Sequence, residues 1–185
     1  MEDQKIVELF FERSEQAIDE LAKKYGGACM TMATNILSDR RDAEECINDA
    51  YLGVWNTVPP QRPAPLLSYL LRILRNLAVN RYHANTAAKR NSSYDVALEE
   101  LENCLSGGTS AEDALDAREL GRMINRFLAG VDADSRVLFL RRYYWADSIP
   151  VLARHFHTSS HNISVRLSRL RGKLKKFLIQ EGVLL

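Results

Sequence analysis

Apolar residues recur at intervals of three and four along nearly the whole chain, and no segment shows the sustained alternation of a half-buried strand. This pattern predicts helices almost throughout, with proline and glycine pairs near their ends. Three helices are predicted in the N-terminal half. The first spans residues 3–37, and Gly26-Gly27 could interrupt it. The second runs from Asp39 or Arg40 to Val58, where Pro59-Pro60 ends it, and the third runs from Leu66 to Ala84, after Pro63 and Pro65.

Residues 85–110 are polar and contain Gly107-Gly108, so we predict a flexible linker there. Beyond it, Ser110 is a predicted N-cap. The helices predicted in the C-terminal half are residues 111–128, with Gly130 just past the end, then 134–146, 148–156 and 159–180. The predicted fold class is all-α, with two small helical domains, 1–84 and 111–185, joined by the flexible linker.

The last two predicted helices form a helix-turn-helix pattern. Ser148 is placed to be the N-cap of the first helix, and Pro150 fits its first turn, where a missing N–H costs little. Thr158 or Ser159 can cap the second helix. That helix carries an apolar stripe spaced by fours and threes, at Ile163, Leu167, Leu170, Leu174 and Phe177.

One flank of this stripe is a polar and basic ridge. A helix-turn-helix places its second helix in the DNA major groove, with the N-terminal part on base edges. Arg and Asn can make bidentate contacts with guanine and adenine, and lysines further along suit phosphate. The candidate DNA-binding residues are Ser160, His161, Asn162, Arg166, Arg169, Lys173 and Lys176. The alternative is an ordinary amphipathic helix with a soluble basic face.

Two faces of the N-terminal domain are also unusual. The helix after Asp39 has a core stripe at Ala43, Ile47, Ala50, Tyr51, Val54 and Val58 and an opposite face with Asp42, Glu45, Asp49, Leu52 and Asn56. An exposed Leu within an acidic face suits protein docking, although a solvated face with one stray Leu fits the pattern equally well.

The following helix has no acidic residue. Leu67, Leu70, Leu71, Leu74, Leu77 and Ala78 form its predicted core side, and the far side carries Tyr69, Arg72, Asn76, Asn80 and His83, flanked by Arg75 and Arg81. Rings and guanidinium groups stack on unpaired bases, so this face suits single-stranded nucleic acid. Tyr69 could equally be a packing residue.

Charge distribution supports both nucleic-acid faces, although the 185-residue chain has a formal net charge of only +1. The charges by segment are −6 over residues 1–58, +6 over 59–90, −7 over 91–135, +9 over 136–180 and −1 at Glu181. The near-zero total is therefore a cancellation, and the two basic segments can each meet phosphate.

Several classes of protein are disfavoured by the sequence. No apolar run approaches the ~20 residues of a membrane span, and the acidic N-terminus is unlike a secretory signal, so we expect a cytoplasmic protein without membrane insertion. The scattered Cys29, Cys46 and Cys104 predict neither a metal site nor disulfides. The four histidines form no HExxH motif and no phosphate-binding glycine loop occurs, so we expect no enzyme activity and no cofactor.

The ordered pattern resembles the extracytoplasmic-function (ECF) sigma factors, two-domain initiation subunits of bacterial RNA polymerase. Four segments carry the resemblance: Tyr25-Gly26 with Ala33, Ile36 and Leu37; DRRDAEECINDAYLGVW (39–55); LLSYLLRILRNLAVNRY (66–82); and RVLFLRRYYWADS through VRLSRLRGKL (136–174). They span nearly the whole chain outside the linker and the first dozen residues. The sequence departs from the family pattern at Asn80, Pro150, His157 and Ser164.

The resemblance implies a function for each face. The first would dock on the clamp coiled coil of the largest subunit of core RNA polymerase, through Asp39, Asp42, Glu45, Asp49, Leu52 and Asn56. The second would recognise and melt the −10 element of promoter DNA, through Tyr69, Arg72, Arg75, Asn76, Asn80 and Arg81. The helix from Ser159 would read the −35 element, the linker would run toward the RNA-exit path, and an anti-sigma factor would be a partner. The alternative is a helix-turn-helix regulator that acts on duplex DNA without polymerase.

Overall fold

The protein is described by a computed structural model covering residues 1–85, 92–105 and 117–183. These residues form α-helices with one π-helical turn, as the all-α prediction requires. The helices are α1 (Asp3–Phe11), α2 (Gln16–Leu37), α3 (Arg40–Thr57), α4 (Leu66–Asn85), α5 (Ser93–Leu105), α6 (Ala117–Gly130), α7 (Ala133–Phe139), α8 (Ile149–His155) and α9 (Ser160–Gln180), and the π-turn (Leu140–Tyr144) continues α7. Within these ranges, no helix is long and apolar enough to cross a membrane.

The chain divides into two compact units, Met1–Ser92 and Ser93–Leu185. In the first unit α2, α3 and α4 pack against one another, and α1 packs on α2. The predicted core stripe of α3 is confirmed, because all six of its residues are buried. On α4, Leu70, Leu71, Leu74 and Ala78 are buried and Leu67 and Leu77 are half-buried, while Leu66 is also in the core.

The predicted 3–37 helix is broken between α1 and α2, whereas Gly26-Gly27, which could have interrupted it, lies inside the continuous α2. Arg13 adopts a left-handed conformation with φ 55°. Its Nη1 donates to the Trp55 carbonyl oxygen at 2.7 Å, and its guanidinium lies 5.4 Å from the Trp55 ring centre. This tertiary contact favours the turn, whereas the glycine pair costs α2 about 1 kcal/mol per residue, which core burial can offset.

The structure differs from the linker prediction at α5, which lies inside residues 85–110 and belongs to the second unit. Tyr94 and Ala97 are buried, and Leu101 packs on the core of that unit. Their spacing of three and four makes an apolar stripe that the acidic composition of the segment obscures. The predicted cap Ser110 lies outside the described residues.

In the second unit α6, α7, α8 and the stripe of α9 enclose the core. Ile163, Leu167, Leu170 and Leu174 are buried as predicted, Phe177 is half-buried, and Leu178 extends the stripe. Helix α6 continues to Gly130, two residues beyond its predicted end. Helices α8 and α9 form the predicted helix-turn-helix.

The turn between α8 and α9 is built by two polar residues. The Ser159 hydroxyl accepts a hydrogen bond from the Asn162 backbone N–H at 3.2 Å, so Ser159 rather than Thr158 caps α9. His157 has φ 50°, a left-handed conformation that favours glycine, and here a histidine adopts it. Ser148 occupies the N-cap position of α8 without a side-chain capping bond.

Candidate nucleic-acid and protein interfaces

The predicted ridge of α9 lies on the surface of the second unit. Six of its members are exposed: Ser160, His161, Asn162, Arg169, Lys173 and Lys176. Asn162, Arg166, Arg169, Lys173 and Lys176 lie about one turn apart along the flank of the buried stripe, and Ser160 and His161 lie in the first turn of α9. A row of donors and positive charges on a capped helix can contact base edges and phosphates of duplex DNA.

Arg166 is the half-buried member of the ridge. Its guanidinium lies 5.0 Å from the ring centre of Phe156, next to the turn. Hydrogen bonds from Ser135 lower the pKa of Asp132, and the nearby charge of Arg166 lowers it further. The contact with the Phe156 ring therefore restricts the side chain of Arg166, which reduces the entropy it would lose on binding.

The exposed face of α4 combines an aromatic ring with guanidinium and amide groups. Tyr69 is half-buried, and the guanidinium of Arg72 lies 5.2 Å from its ring centre. Asn76 and Asn80 are exposed further along the helix, and Arg75 is half-buried. This face can stack on an unpaired base and donate hydrogen bonds to it.

The start of α4 is fixed by a carboxylate from α1. Asp3 accepts hydrogen bonds from the Leu66 backbone N–H at 3.3 Å, from Lys24 Nζ at 2.6 Å and from the Tyr25 hydroxyl. Burial alone would raise the pKa of Asp3, but the hydrogen bonds from Lys24 and Tyr25 give a net lowering. The first dozen residues, which lie outside the family resemblance, therefore help to hold the candidate melting helix.

Arg81 lies apart from the other candidates on α4. Its Nη1 donates to Glu45 Oε2 at 2.6 Å and to Asp42 Oδ1 at 3.1 Å, and these bonds raise its pKa. Asn85 Nδ2 also donates to Asp42, at 2.9 Å. The spacing 74, 78, 81 places Arg81 on the side of α4 that faces α3, so helical periodicity could have identified this contact from the sequence.

These contacts divide the predicted docking face of α3. Asp42 and Glu45 bind Arg81, and Asp39 is the N-cap of α3, accepting hydrogen bonds from the N–H groups of Arg41 and Asp42. Asp49, Leu52 and Asn56 are exposed further along the helix, with Leu52 54% exposed. An exposed leucine between an acid and an amide is a feature of protein-docking surfaces.

A known family model matches the segment that holds these two helices. Residues 21–87 match the family model of sigma-70 region 2 and include most of α2 and all of α3 and α4. The segment that holds α3 and α4 is therefore similar to sigma-70 region 2. The acidic face of α3 and the aromatic, basic face of α4 both lie within this matched segment, and α1 precedes it.

Other comparisons add no functional information. The chain is similar to CnrH in a solved structure titled "Structure of CnrH in complex with the cytosolic domain of CnrY", with 19% identity and a TM-score of 0.45. The alignment covers 96% of this chain and 97% of that one. No curated protein matches the chain. Among the residues that the structure describes, no three His, Cys, Asp or Glu side chains are grouped to hold a metal ion.

Proposed function

We propose that this chain is an ECF sigma factor, which binds core RNA polymerase, directs it to promoters and helps to melt the DNA. The observation that carries the proposal is a segment similar to sigma-70 region 2 and a helix-turn-helix in one chain. An initiation factor needs one helix that recognises duplex DNA and a separate surface that binds single-stranded DNA.

Docking is assigned to the α3 face and the clamp coiled coil of the largest polymerase subunit. The six proposed residues are Asp39, Asp42, Glu45, Asp49, Leu52 and Asn56. Because Arg81 already binds Asp42 and Glu45, we expect Asp49, Leu52 and Asn56 to make the main contacts. An exposed leucine that becomes buried on binding, with polar groups around it, can anchor such an interface.

DNA recognition is assigned to two helices. On α4, we propose that Tyr69, Arg72, Arg75, Asn76 and Asn80 contact the −10 element and that Arg81 contributes by holding α4 on α3. On α9, the seven ridge residues are proposed to read the −35 element, with Lys173 and Lys176 on phosphate. An anti-sigma factor is the further partner expected for such a protein.

A regulator that binds duplex DNA without polymerase is the second candidate, because the helix-turn-helix alone would suffice for it. Asp49→Arg separates the two, with Glu44→Arg as the matched control, since Glu44 is exposed on another side of α3. A sigma factor carrying Asp49→Arg should lose co-elution with core polymerase and keep duplex DNA binding, and the control should keep both. Full retention of polymerase binding in Asp49→Arg would contradict the docking assignment.

A further inference from the structure

The carboxylate of Glu100, on α5, pairs with the positive charges of two arginines of the second unit, Arg142 and Arg171. Arg142, on the π-turn, is 1% exposed, and its Nη2 and Nε donate to Glu100 Oε1 and Oε2 at 2.8 and 3.2 Å. Its remaining nitrogen, Nη1, donates to the Asp147 carbonyl oxygen at 2.9 Å. A buried guanidinium is tolerated only when it is paired and hydrogen-bonded, so Arg142 depends on Glu100.

The same carboxylate reaches α9. Arg171 Nη1 donates to Glu100 Oε2 at 3.1 Å and to the Tyr143 hydroxyl at 2.8 Å, and that hydroxyl donates to Glu100 at 3.2 Å. Burial raises the pKa of Tyr143 to about 12, so the phenol stays protonated and can donate. A further bond runs from Cys104 Sγ on α5 to the Arg171 carbonyl oxygen, at 3.2 Å.

These contacts lie on the side of α9 that faces away from the proposed DNA ridge. With about 100° between successive residues, Arg171 lies on one flank of the buried stripe and Arg169 and Lys173 lie on the other. Helix α5 can therefore hold α9 without covering the ridge. Phe156 contacts the ridge side at Arg166, so the two sides of α9 have separate supports.

We propose that Glu100 is a positioning residue for duplex DNA recognition: α5, through Glu100, Arg142 and Arg171, sets the orientation of α9. The inference rests on the proposed DNA-binding function and extends it to a residue that does not touch DNA. It makes α5 part of the DNA-binding unit instead of a spacer between the units.

Glu100→Gln in the full chain tests the proposal, with Glu99→Gln as the matched control. Both variants remove one negative charge from the same helix, and Glu99 is exposed. Simple electrostatics predicts that either change leaves DNA affinity equal or raises it. The proposal predicts the opposite for Glu100→Gln alone, because the amide cannot compensate both arginines and α9 loses its support.

The DNA probe is a duplex selected from a random pool by the wild-type chain, compared with an unselected duplex. Glu100→Gln should lower affinity for the selected duplex by about fivefold, the equivalent of a weakened base contact. Its affinity for the unselected duplex and its salt dependence should stay unchanged, since no phosphate contact is removed. Equal behaviour of Glu100→Gln and Glu99→Gln would overturn the proposal.

Amide hydrogen exchange gives a second readout that does not require DNA. Glu100→Gln should accelerate exchange in α9 relative to Glu99→Gln, and Tyr143→Phe, which removes only a hydroxyl, should do so more weakly. If the wild-type chain selects no duplex, the proposed function fails. The support of α9 by Glu100 is then upheld by faster exchange in α9 of Glu100→Gln and overturned by exchange equal to that of Glu99→Gln.

Discussion

Arg81 on α4 donates a hydrogen bond to Glu45 on α3, with 2.6 Å between Nη1 and Oε2. This pair joins a proposed DNA-binding helix to a proposed polymerase-docking helix. Both residues were expected from the sequence to contact other molecules, yet they contact each other. Their pairing therefore helps to fix the position of α4 relative to α3 within the folded unit.

Arg81→Met should therefore lower stability more than it lowers DNA contact. The pair is partly exposed, so we expect a loss of about 1 kcal/mol in the free energy of unfolding, measured by urea denaturation. Arg72→Met is the control, because Arg72 is exposed and contacts the Tyr69 ring on the outer face of α4. Equal stability of the two variants would contradict the structural role of Arg81.

Asp3 should make the stability of the chain depend on pH in the acid range. Its folded-state pKa is lowered from 3.8, so its stabilising contribution is present above that value and is lost as pH falls through the folded pKa. Asp3→Asn should remove this part of the acid dependence in urea unfolding measured across pH. Asp19→Asn, at an exposed position on α2, is the control, and identical pH profiles of the two variants would refute the capping role.

Tyr69→Ala should impair promoter opening more than polymerase binding, because it removes the ring that can stack on an unpaired base. Stacking is worth about 1–3 kcal/mol per base, so permanganate reactivity of the melted region should fall severalfold. Tyr69→Phe keeps the ring and should retain most of the opening. Normal permanganate reactivity in Tyr69→Ala would show that this ring takes no part in melting.

Arg169→Ala should weaken use of the −35 element by about 1–3 kcal/mol, the usual cost of a lost base contact. Lys175→Ala removes the same charge from the opposite flank of α9 and should have a much smaller effect. Competition binding between the selected duplex and single-base variants checks both. Equal losses in the two variants would indicate a general charge effect and contradict base reading by Arg169.

Apolar stripes that repeat along a helix were predicted from the sequence, whereas features that depend on contacts between distant residues were missed. The stripes of α3 and α9 follow from spacing alone, and both are buried. The turn at Arg13 contacts Trp55, which is 42 residues away, so the local pattern did not predict it and offered only the glycine pair as a possible break. Helix α5 was missed because its acidic composition outweighed the stripe that begins at Tyr94.

The structural roles of Arg142 and Arg81 were not identified from the sequence for a related reason. Arg142 is nearly fully buried, a rare state for arginine, and only the position of Glu100 explains it. Arg81 was assigned to DNA by composition, although its spacing from Ala78 placed it toward α3. Charged residues at core-facing positions of a helix predict pairing within the fold.

Run-off transcription with core RNA polymerase, followed by sequencing of the transcript starts, tests the central claim most directly. We predict that the polymerase begins at defined sites only when this chain is added, and that the aligned sites share two upstream elements. Asp49→Arg should abolish these starts, and Glu44→Arg should not. Absence of any start that depends on the correctly folded wild-type chain would contradict the assignment as a sigma factor.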